Sequence, residues 1–287
     1  MTEIEQYEFD RQGFLVLRNF LTDEEVGRLR LAIDTLEQHA IAHYQLAPRK
    51  SGNFGSEYHF NAERGYHVTG GHEYGQTFII EDFFNFDLAF DFLVNHPKTN
   101  SYISSLVQEE IGINNSELRI RYPGNCSSTH GGGYCRSYKY RYSVNAKGID
   151  CMMVRFIYFT HDVSNMDGAF CVEAGSHKSE FAVPYQCHVD DDPGMIGLEV
   201  NSGDAIVFTE NLRHGGFTNR SCEPRKTLHV GYGPGWMMSQ NIATWDELQY
   251  IQPTTWARYD EDQRKLFQPW LRQTPDVAQA NTGVSER

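Results

Sequence analysis

From Glu117 onward the hydrophobic positions fall into short runs bounded by turn residues: ELRIRYPGN, YKYRYSV, CMMVRFIYFTHDV, FCVEAGSH, MIGLEV, DAIVFTE and TLHVGYG. This spacing predicts the strands of an antiparallel sandwich or barrel rather than alternating βαβ units. The chain before it reads as helical. Thr22, with Glu25 three residues on, has the form of a capping box, and Val26, Leu29, Leu31, Ile33 and Leu36 follow at nearly helical spacing. A second helical segment is expected over FFNFDLAFDFLVN, resuming after Pro97 in TNSYISSLVQEEI, and a last one in WARYDEDQRKLFQPWL. Residues 49–76 carry six glycines and few aliphatic side chains, so they read as a long loop of the lid or binding type. The tail QTPDVAQANTGVSER reads as frayed. With no repeat and no linker, the expectation is a single domain over 1–287, with a helical N-terminal region over residues 1–115, a β core over about 116–235, a helical C-terminal region over 236–272 and a tail over 273–287.

Composition narrows the function classes. A chain of 287 residues that is 40% hydrophobic can bury a sizeable core. A net charge of −13 disfavours nucleic-acid polymers, whose phosphates need a basic surface. No basic-then-apolar leader opens the sequence and no apolar run is long enough for a bilayer, so a cytoplasmic protein without a membrane partner is expected. The six cysteines contain no CxxC pair, which fits reduced thiols. A small-molecule substrate or a protein partner is left.

Two histidines stand out by position. His130 in SSTHGGGYC and His214 in FTENLRHGGFTNRSCEPR lie 84 residues apart, each beside a predicted strand, and a barrel brings such distant ligands together. Two imidazoles, usually with a carboxylate, suit non-haem iron. In a chain with twelve histidines any single one is by default a non-ligand, so the surrounding pattern decides. The stretches YEFDRQGFLVLRNFLTDEEVGRLR, IYFTHDVSNMDGAFCVEAGSHK and GDAIVFTENLRHGGFTNRSCEPRKTLHVGY resemble the phytanoyl-CoA dioxygenase family, in order over most of residues 7–232. The resemblance implies a mainly β fold with flanking helices, a double-stranded β-helix (a jelly-roll, cupin-like barrel), and chemistry dependent on Fe(II), 2-oxoglutarate and O2. It implies His130 and His214 as metal ligands and places Arg225, eleven residues after His214, on the distal carboxylate of 2-oxoglutarate, a task suited to a planar guanidinium. Thr227, on the same strand face, is expected to add a hydroxyl contact. His177 in AGSHK resembles a family position outside the metal shell.

The family's His-x-Asp pattern is broken. His130 is followed by Gly131, Gly132 and Gly133, and the next acid is Asp150. Gly132 therefore stands where the carboxylate is expected, which resembles the iron- and 2-oxoglutarate-dependent halogenases, whose chloride binds iron at that vacated place. The resemblance implies a halogenase that chlorinates an unactivated C–H bond. Other readings of Gly132 stay open: a hydroxylase with a third ligand from elsewhere, a non-catalytic protein, or a laboratory substitution.

Substrate signals lie beside the glycines. In YCRSYKYRYSV, Arg136, Lys139 and Arg141 alternate with Tyr134, Tyr138, Tyr140 and Tyr142 without an acid, and Arg119, Arg121 and Arg155 add cations on neighbouring strands. One arginine suffices for 2-oxoglutarate, so the surplus suggests an anionic small-molecule substrate, with phosphate on guanidinium and a base on tyrosine. A nucleotide fits best, and the resemblance extends to halogenases that chlorinate a deoxyadenosine monophosphate sugar in antibiotic biosynthesis. An aminoacyl group tethered to an acidic carrier protein, or a free amino acid, is the alternative substrate. His59, His67 and His72 are candidates for a lid lining.

Overall fold

The computed structural model describes residues 1–43, 48–51, 57–132 and 138–267. Its strands are β1 (Phe14–Leu17), β2 (Pro48–Ser51), β3 (Glu57–Asn61), β4 (Tyr66–Gly70), β5 (Thr77–Glu81), β6 (Ile111–Arg121), β7 (Ser127–His130) and β8 (Tyr142–Asn145). They continue with β9 (Gly148–Cys151), β10 (Val154–Phe159), β11 (Phe170–Glu173), β12 (Met195–Gly197), β13 (Ala205–Thr209), β14 (His214–Gly216) and β15 (Arg225–Pro234). The helices are α1 (Glu3–Gln12), α2 (Asp23–Ala42), α3 (Pro97–Leu106), α4 (Pro253–Arg258) and α5 (Glu261–Phe267). A nine-stranded antiparallel sheet in the order β1-β13-β10-β15-β6-β5-β4-β3-β2 faces a four-stranded sheet β12-β11-β14-β7. This is the antiparallel sandwich expected from the spacing of the short strands, in the jelly-roll form that the family resemblance implies.

The large sheet is covered on both faces, which explains why its central strands are hydrophobic on both sides of the pleat. In β10, Val154, Phe156 and Tyr158 pack outward into a core shared with Leu29, Ile33 and Leu36 of α2 and Ile103 of α3. The intervening Ile157 and Phe159 join Phe14, Ile206 and Phe208 against Phe170 and Val172 of the small sheet. On β6 and β15 the same alternation changes chemistry. Leu118, Ile120, Leu228 and Val230 enter the helical core. The residues between them, Glu117, Arg119, Arg121, Arg225 and His229, line a cavity between the sheets. The interior is therefore apolar at the β1-β13-β10 side and charged at the β15-β6 side.

Helix α2 starts where the sequence predicts, with Thr22 and Glu25 bonded reciprocally, and α1 carries the same device in Thr2 and Glu5. Other elements differ. The expected loop 49–76 contains β2, β3 and β4, which widen the large sheet. Tyr58, Tyr66 and Val68 are buried there, and Gly65 and Gly70 adopt the positive φ that ends the strands. His67 lines no lid: it is fully buried, and its Nδ1 lies 2.8 Å from Asp82. The segment after Glu81 forms two short 3-10 turns (Phe83–Asn85 and Leu88–Leu93) before α3. The C-terminal helix is split into α4 and α5 at Tyr259 and Asp260, and residues 268–287 lie outside the described residues. Among the described residues no helix is long and apolar enough to cross a membrane, and the five cysteines described there are free.

Two measurements test this packing. Phe156 sits at the centre of the aromatic cluster of Phe20, Tyr102, Tyr158 and Tyr232. Phe156→Ala should lower unfolding free energy by about 3–5 kcal/mol, against about 1 kcal/mol for removal of the α2 cap in Thr22→Ala. Urea denaturation giving the reverse order would contradict the layering. His177 packs against Tyr142, and the Cα of Gly13 lies so close that a Cβ there would be 2.6 Å from His177 Nδ1. Burial, aided by Lys178, pushes the His177 pKa down to about 4. Between about pH 6.5 and 4 the unfolded chain then takes up a proton that the native state refuses, so stability falls as pH falls through that window. His177→Gln should flatten this region of the stability–pH profile relative to wild type.

Candidate metal centre

The small sheet aligns the two histidines. His130 ends β7, His214 begins β14, and they are direct cross-strand partners, with ring centroids 4.1 Å apart at 61°. Each is held the same way. His130 Nδ1 lies 3.0 Å from Ser128 O and His214 Nδ1 lies 2.7 Å from Leu212 O. A proton on Nδ1 satisfies each carbonyl and leaves Nε2 as the free lone pair, the tautomer a metal requires. Desolvation of the imidazole by its neighbours, with Arg119 and Arg155 near, lowers the pKa of His130 although part of that residue is solvent-exposed, and burial with His130 near lowers that of His214. Both imidazoles are neutral at physiological pH and can act as donors.

The carboxylate grouped with them is Glu210. Its oxygen and the two imidazole nitrogens lie within 4.8 Å of one another. Two imidazoles and a carboxylate this close together are a donor set that one transition-metal ion can share. Glu210 follows the end of β13, and the turn closed by Leu212 N–H on Thr209 O, at 2.9 Å, folds it back toward His214. Arg155 holds the carboxylate from behind, with Nε 2.7 Å from Glu210 Oε2, while its Nη1 donates to Asn115 Oδ1 at 2.8 Å and lies 3.5 Å from Glu117.

Gly132 lies where the backbone passes close to Arg213. It does not line the cavity, its φ is +70°, and its N–H donates to Asn211 O. A Cβ built on it would lie 2.4 Å from Arg213 Cβ, so in this backbone a side chain at 132 would meet Arg213.

The cavity of about 160 Å³ beside the histidines is lined by Glu117, Arg119, Arg121, Tyr140, Arg155, Glu210, Arg225, His229, Gln240 and Trp245 among others. Its polar wall follows from register: Arg225 is paired with Arg121, Thr227 with Arg119 and His229 with Glu117 across β15 and β6. Glu117 answers two of the cations, at 2.6 Å from Arg119 and 3.5 Å from Arg155. Burial opposes its ionisation, but Arg119 and Arg155 outweigh that and hold its pKa below the usual carboxylate range. Arg121 and Arg225 have no such partner among the described residues. Arg121 Nη1 donates to Phe217 O at 3.3 Å, Arg225 Nη1 donates to Gly168 O, and both Nε atoms are buried without an acceptor. Burial with Arg119 near pushes the Arg121 pKa down to about 10, and burial with Arg121 and Arg119 lowers that of Arg225 strongly. Two adjacent guanidinium groups in this state gain from an anion. Gly216 makes the arrangement possible, since a Cβ there would stand 2.0 Å from Arg121 Nη1.

Not every expected site residue joins the cavity. Thr227 is buried with its hydroxyl 3.0 Å from His229 Nε2 and is not in the lining. Lys139 is engaged by Asp246 at 2.6 Å and lies over the Trp245 ring, Arg141 is engaged by Asp150 at 2.8 Å, and Tyr138 is exposed. Over the described part of the cationic strip, Lys139 and Arg141 are thus paired with acids, while Tyr140 between them lines the cavity. Tyr134 and Arg136 lie outside the described residues. Glu117, Glu210, His229, Gln240 and Trp245 do not stand out from the sequence. The period-two alternation of ELRIR and RKTLH is the available signal for the wall residues, whereas nothing in ENLRH marks Glu210.

Comparison with known proteins gives a consistent outline. No curated protein matches the chain. The structure is similar to HygX from Streptomyces hygroscopicus with nickel and 2-oxoglutarate bound (TM-score 0.67, 19% identity, 84% of this chain and 90% of that one). It is also similar to AviO1 from Streptomyces viridochromogenes Tue57 (0.55, 16%, 79% and 92%) and to the non-heme alpha-ketoglutarate-dependent epimerase SnoN of nogalamycin biosynthesis (0.54, 14%, 81% and 80%). The phytanoyl-CoA dioxygenase (PhyH) family model matches residues 136–227, the stretch that carries Arg155, Glu210, His214 and Arg225.

Proposed function

We propose that this chain is an iron(II)- and 2-oxoglutarate-dependent oxygenase that attacks a C–H bond of a small anionic substrate. The observation that carries the reading is the meeting, in one cavity, of a His130, Glu210 and His214 donor set with the uncompensated Arg121 and Arg225 pair. The first is a two-histidine, one-carboxylate set suited to non-haem iron. The second is a site for the distal carboxylate of the oxoacid, with the two orphaned Nε atoms as its mark. When bound, the iron and the oxoacid supply the oxidising chemistry: O2 is consumed, 2-oxoglutarate becomes succinate and carbon dioxide, and a substrate C–H bond is cleaved.

The residues of the chain divide the remaining work. Ser128 O and Leu212 O fix the imidazole tautomers, and Arg155 orients Glu210. Among the described residues Arg119 is engaged through Nε by Glu117, which leaves its terminal nitrogens to face an anion in the cavity. Tyr140, Gln240 and Trp245 line the cavity beside these charged groups. HygX has been seen with hygromycin B and SnoN with nogalamycin RO, and a small organic substrate is what we infer here. A cavity of about 160 Å³ that also admits the oxoacid favours a compact one.

Halogen transfer is the second reading. Two observations favour it: no carboxylate follows His130 on its own strand, and the carboxylate that replaces it is already engaged by Arg155. A nucleotide belongs in the substrate screen because Arg119 is available for a phosphate. Mass spectrometry of products formed in chloride separates the two chemistries: oxygen insertion alone supports the hydroxylase, and chlorine's isotope pattern supports the halogenase.

The oxoacid site has a direct test. Under anaerobic conditions the protein with iron(II) should develop a visible charge-transfer band on titration with 2-oxoglutarate. Arg225→Gln should remove a charge-assisted interaction of about 2–3 kcal/mol, raising the Kd for 2-oxoglutarate roughly 30- to 150-fold. Arg121→Gln should raise it less, and Lys139→Gln, outside the cavity, should leave it unchanged. Unaltered affinity in Arg225→Gln would remove the basis of this reading.

A further inference from the structure

The cavity holds hydrogen-bond acceptors as well as cations, and two of them have no partner in the chain. Gln240 lines the cavity and is only 1% exposed. Its Nε2 donates to Met238 O at 2.9 Å and to Ser239 O at 3.1 Å. Two carbonyls fix that end of the amide as the nitrogen, because an oxygen there would meet acceptors alone. Oε1 is the opposite end, buried and without a hydrogen bond. The residue is also held in place: its backbone N–H donates to Asn114 O at 2.6 Å, and the next side chain, Asn241, bonds Ser116 N–H and Asp82. His229 is the second acceptor. Thr227 Oγ1 donates its hydrogen to Arg119 O at 3.4 Å and so receives Nε2–H of His229 at 3.0 Å. Nδ1 then keeps the lone pair, and among the described residues it has no hydrogen-bond partner although the side chain lines the cavity. Burial with Arg119 near holds this imidazole well below its ordinary range, so it is neutral and able to accept. Glu117, across the strand pair, is already taken, with Oε1 accepting from Asn115 Nδ2 at 2.9 Å and Oε2 from Arg119 Nε at 2.6 Å.

A buried acceptor left unpaired is costly, and it marks a place where a donor arrives from outside the chain. The oxoacid is not that donor: at neutral pH 2-oxoglutarate has two carboxylates and a ketone, which are all acceptors. We infer that Gln240 and His229 are specificity-determining residues that receive a hydroxyl group of the substrate, which is therefore a compact hydroxylated anion. Its charged group faces Arg119, and its hydroxyl donates to Gln240 Oε1 or His229 Nδ1. An ammonium group would also donate, but Arg119, Arg121 and Arg225 line the same cavity and repel a further cation, whereas a neutral hydroxyl meets no such opposition. The inference rests on the iron and 2-oxoglutarate reading and adds to it the chemical class of the substrate.

Matched probes test this without turnover. The protein is loaded anaerobically with iron(II) and 2-oxoglutarate, and the charge-transfer band is followed while glycerol phosphate, propyl phosphate or aminopropyl phosphate is titrated. Glycerate, propionate and beta-alanine form a second set, which separates a carboxylate from a phosphate as the charged group. Wild type should bind the hydroxylated member of at least one set about fivefold or more tightly than the other two members. Gln240→Leu should reduce that preference below about twofold while the affinity for 2-oxoglutarate, read from the same band, stays within about twofold of wild type. A merely structural loosening would weaken all three probes together and leave the preference intact. His229→Leu should also reduce the preference, and it carries the test should Gln240→Leu fail to fold. Wild type binding the members of each set equally, or binding none of them, overturns the inference alone, as does a preference that survives both substitutions or a loss of 2-oxoglutarate affinity in its place. Absence of the band in every protein overturns it together with the oxygenase reading.

Discussion

Two guanidinium groups buried side by side, with no carboxylate to answer them, constrain everything around them. Arg121 and Arg225 are direct partners across β6 and β15, on the face that looks into the jelly-roll. Burying uncompensated charge is expensive, and the surrounding structure has to offset that cost before any ligand arrives. The helical core beneath Leu118, Ile120, Leu228 and Val230 holds both strands rigidly from the other side. The lack of a Cβ at Gly216 leaves room for the Arg121 guanidinium, and Gly168 O and Phe217 O each accept from one nitrogen of Arg225 and Arg121 respectively. Both side chains line the cavity with their Nε groups left unpartnered, the electrostatic situation in which an anion is favoured.

The division of the interior follows from the same register. Where β1, β13 and β10 face the small sheet, aromatic and branched side chains close the barrel. Where β15 and β6 face it, each interior position is ionisable or polar. Glu117 and His229 lie opposite one another, and Glu81 lies opposite Glu117 on β5. Burial and Glu117 raise the pKa of Glu81, yet its two oxygens accept the backbone N–H groups of Ile242 and Ala243. Asn241 bonds Ser116 N–H and Asp82. The irregular segment that brings Gln240, Ile242 and Trp245 to the cavity is thereby fastened to the sheet that carries the arginines.

Much of this is readable in the sequence, for local reasons. The capping box at Thr22 is a contact between residues three apart, and the short strands announce themselves through turn residues at both ends. His130, His214 and Arg225 are legible through the pattern of the stretches around them, and the structure brings them to one cavity. Legibility fails where the partner of a side chain is set by the folded arrangement rather than by a local pattern. Lys139 and Arg141 look like a substrate-facing strip until Asp246 and Asp150 take them up. The glycines of 49–76 mask β3 and β4, because Gly65 and Gly70 mark strand ends rather than a continuous loop. Helix α1 escapes the sequence reading although Thr2 and Glu5 repeat the signature of Thr22 and Glu25.

Glu210 shows why a missing ligand cannot be read from one strand alone. The triple glycine after His130 invites the conclusion that the third position is empty, because the family's carboxylate is local to the first histidine. A coordination position belongs to a point in space, and in a barrel that point is reached from several strands. Here a carboxylate close to both histidines comes from the stretch before the second, four residues ahead of it, around the turn at Thr209 to Leu212. Supplied from that side it meets Arg155, whose own place on β10 is set by pairing with Phe208 and Gly231. A carboxylate reached from that side therefore brings a guanidinium partner with it, an ion pair between strands that no local pattern in the sequence announces.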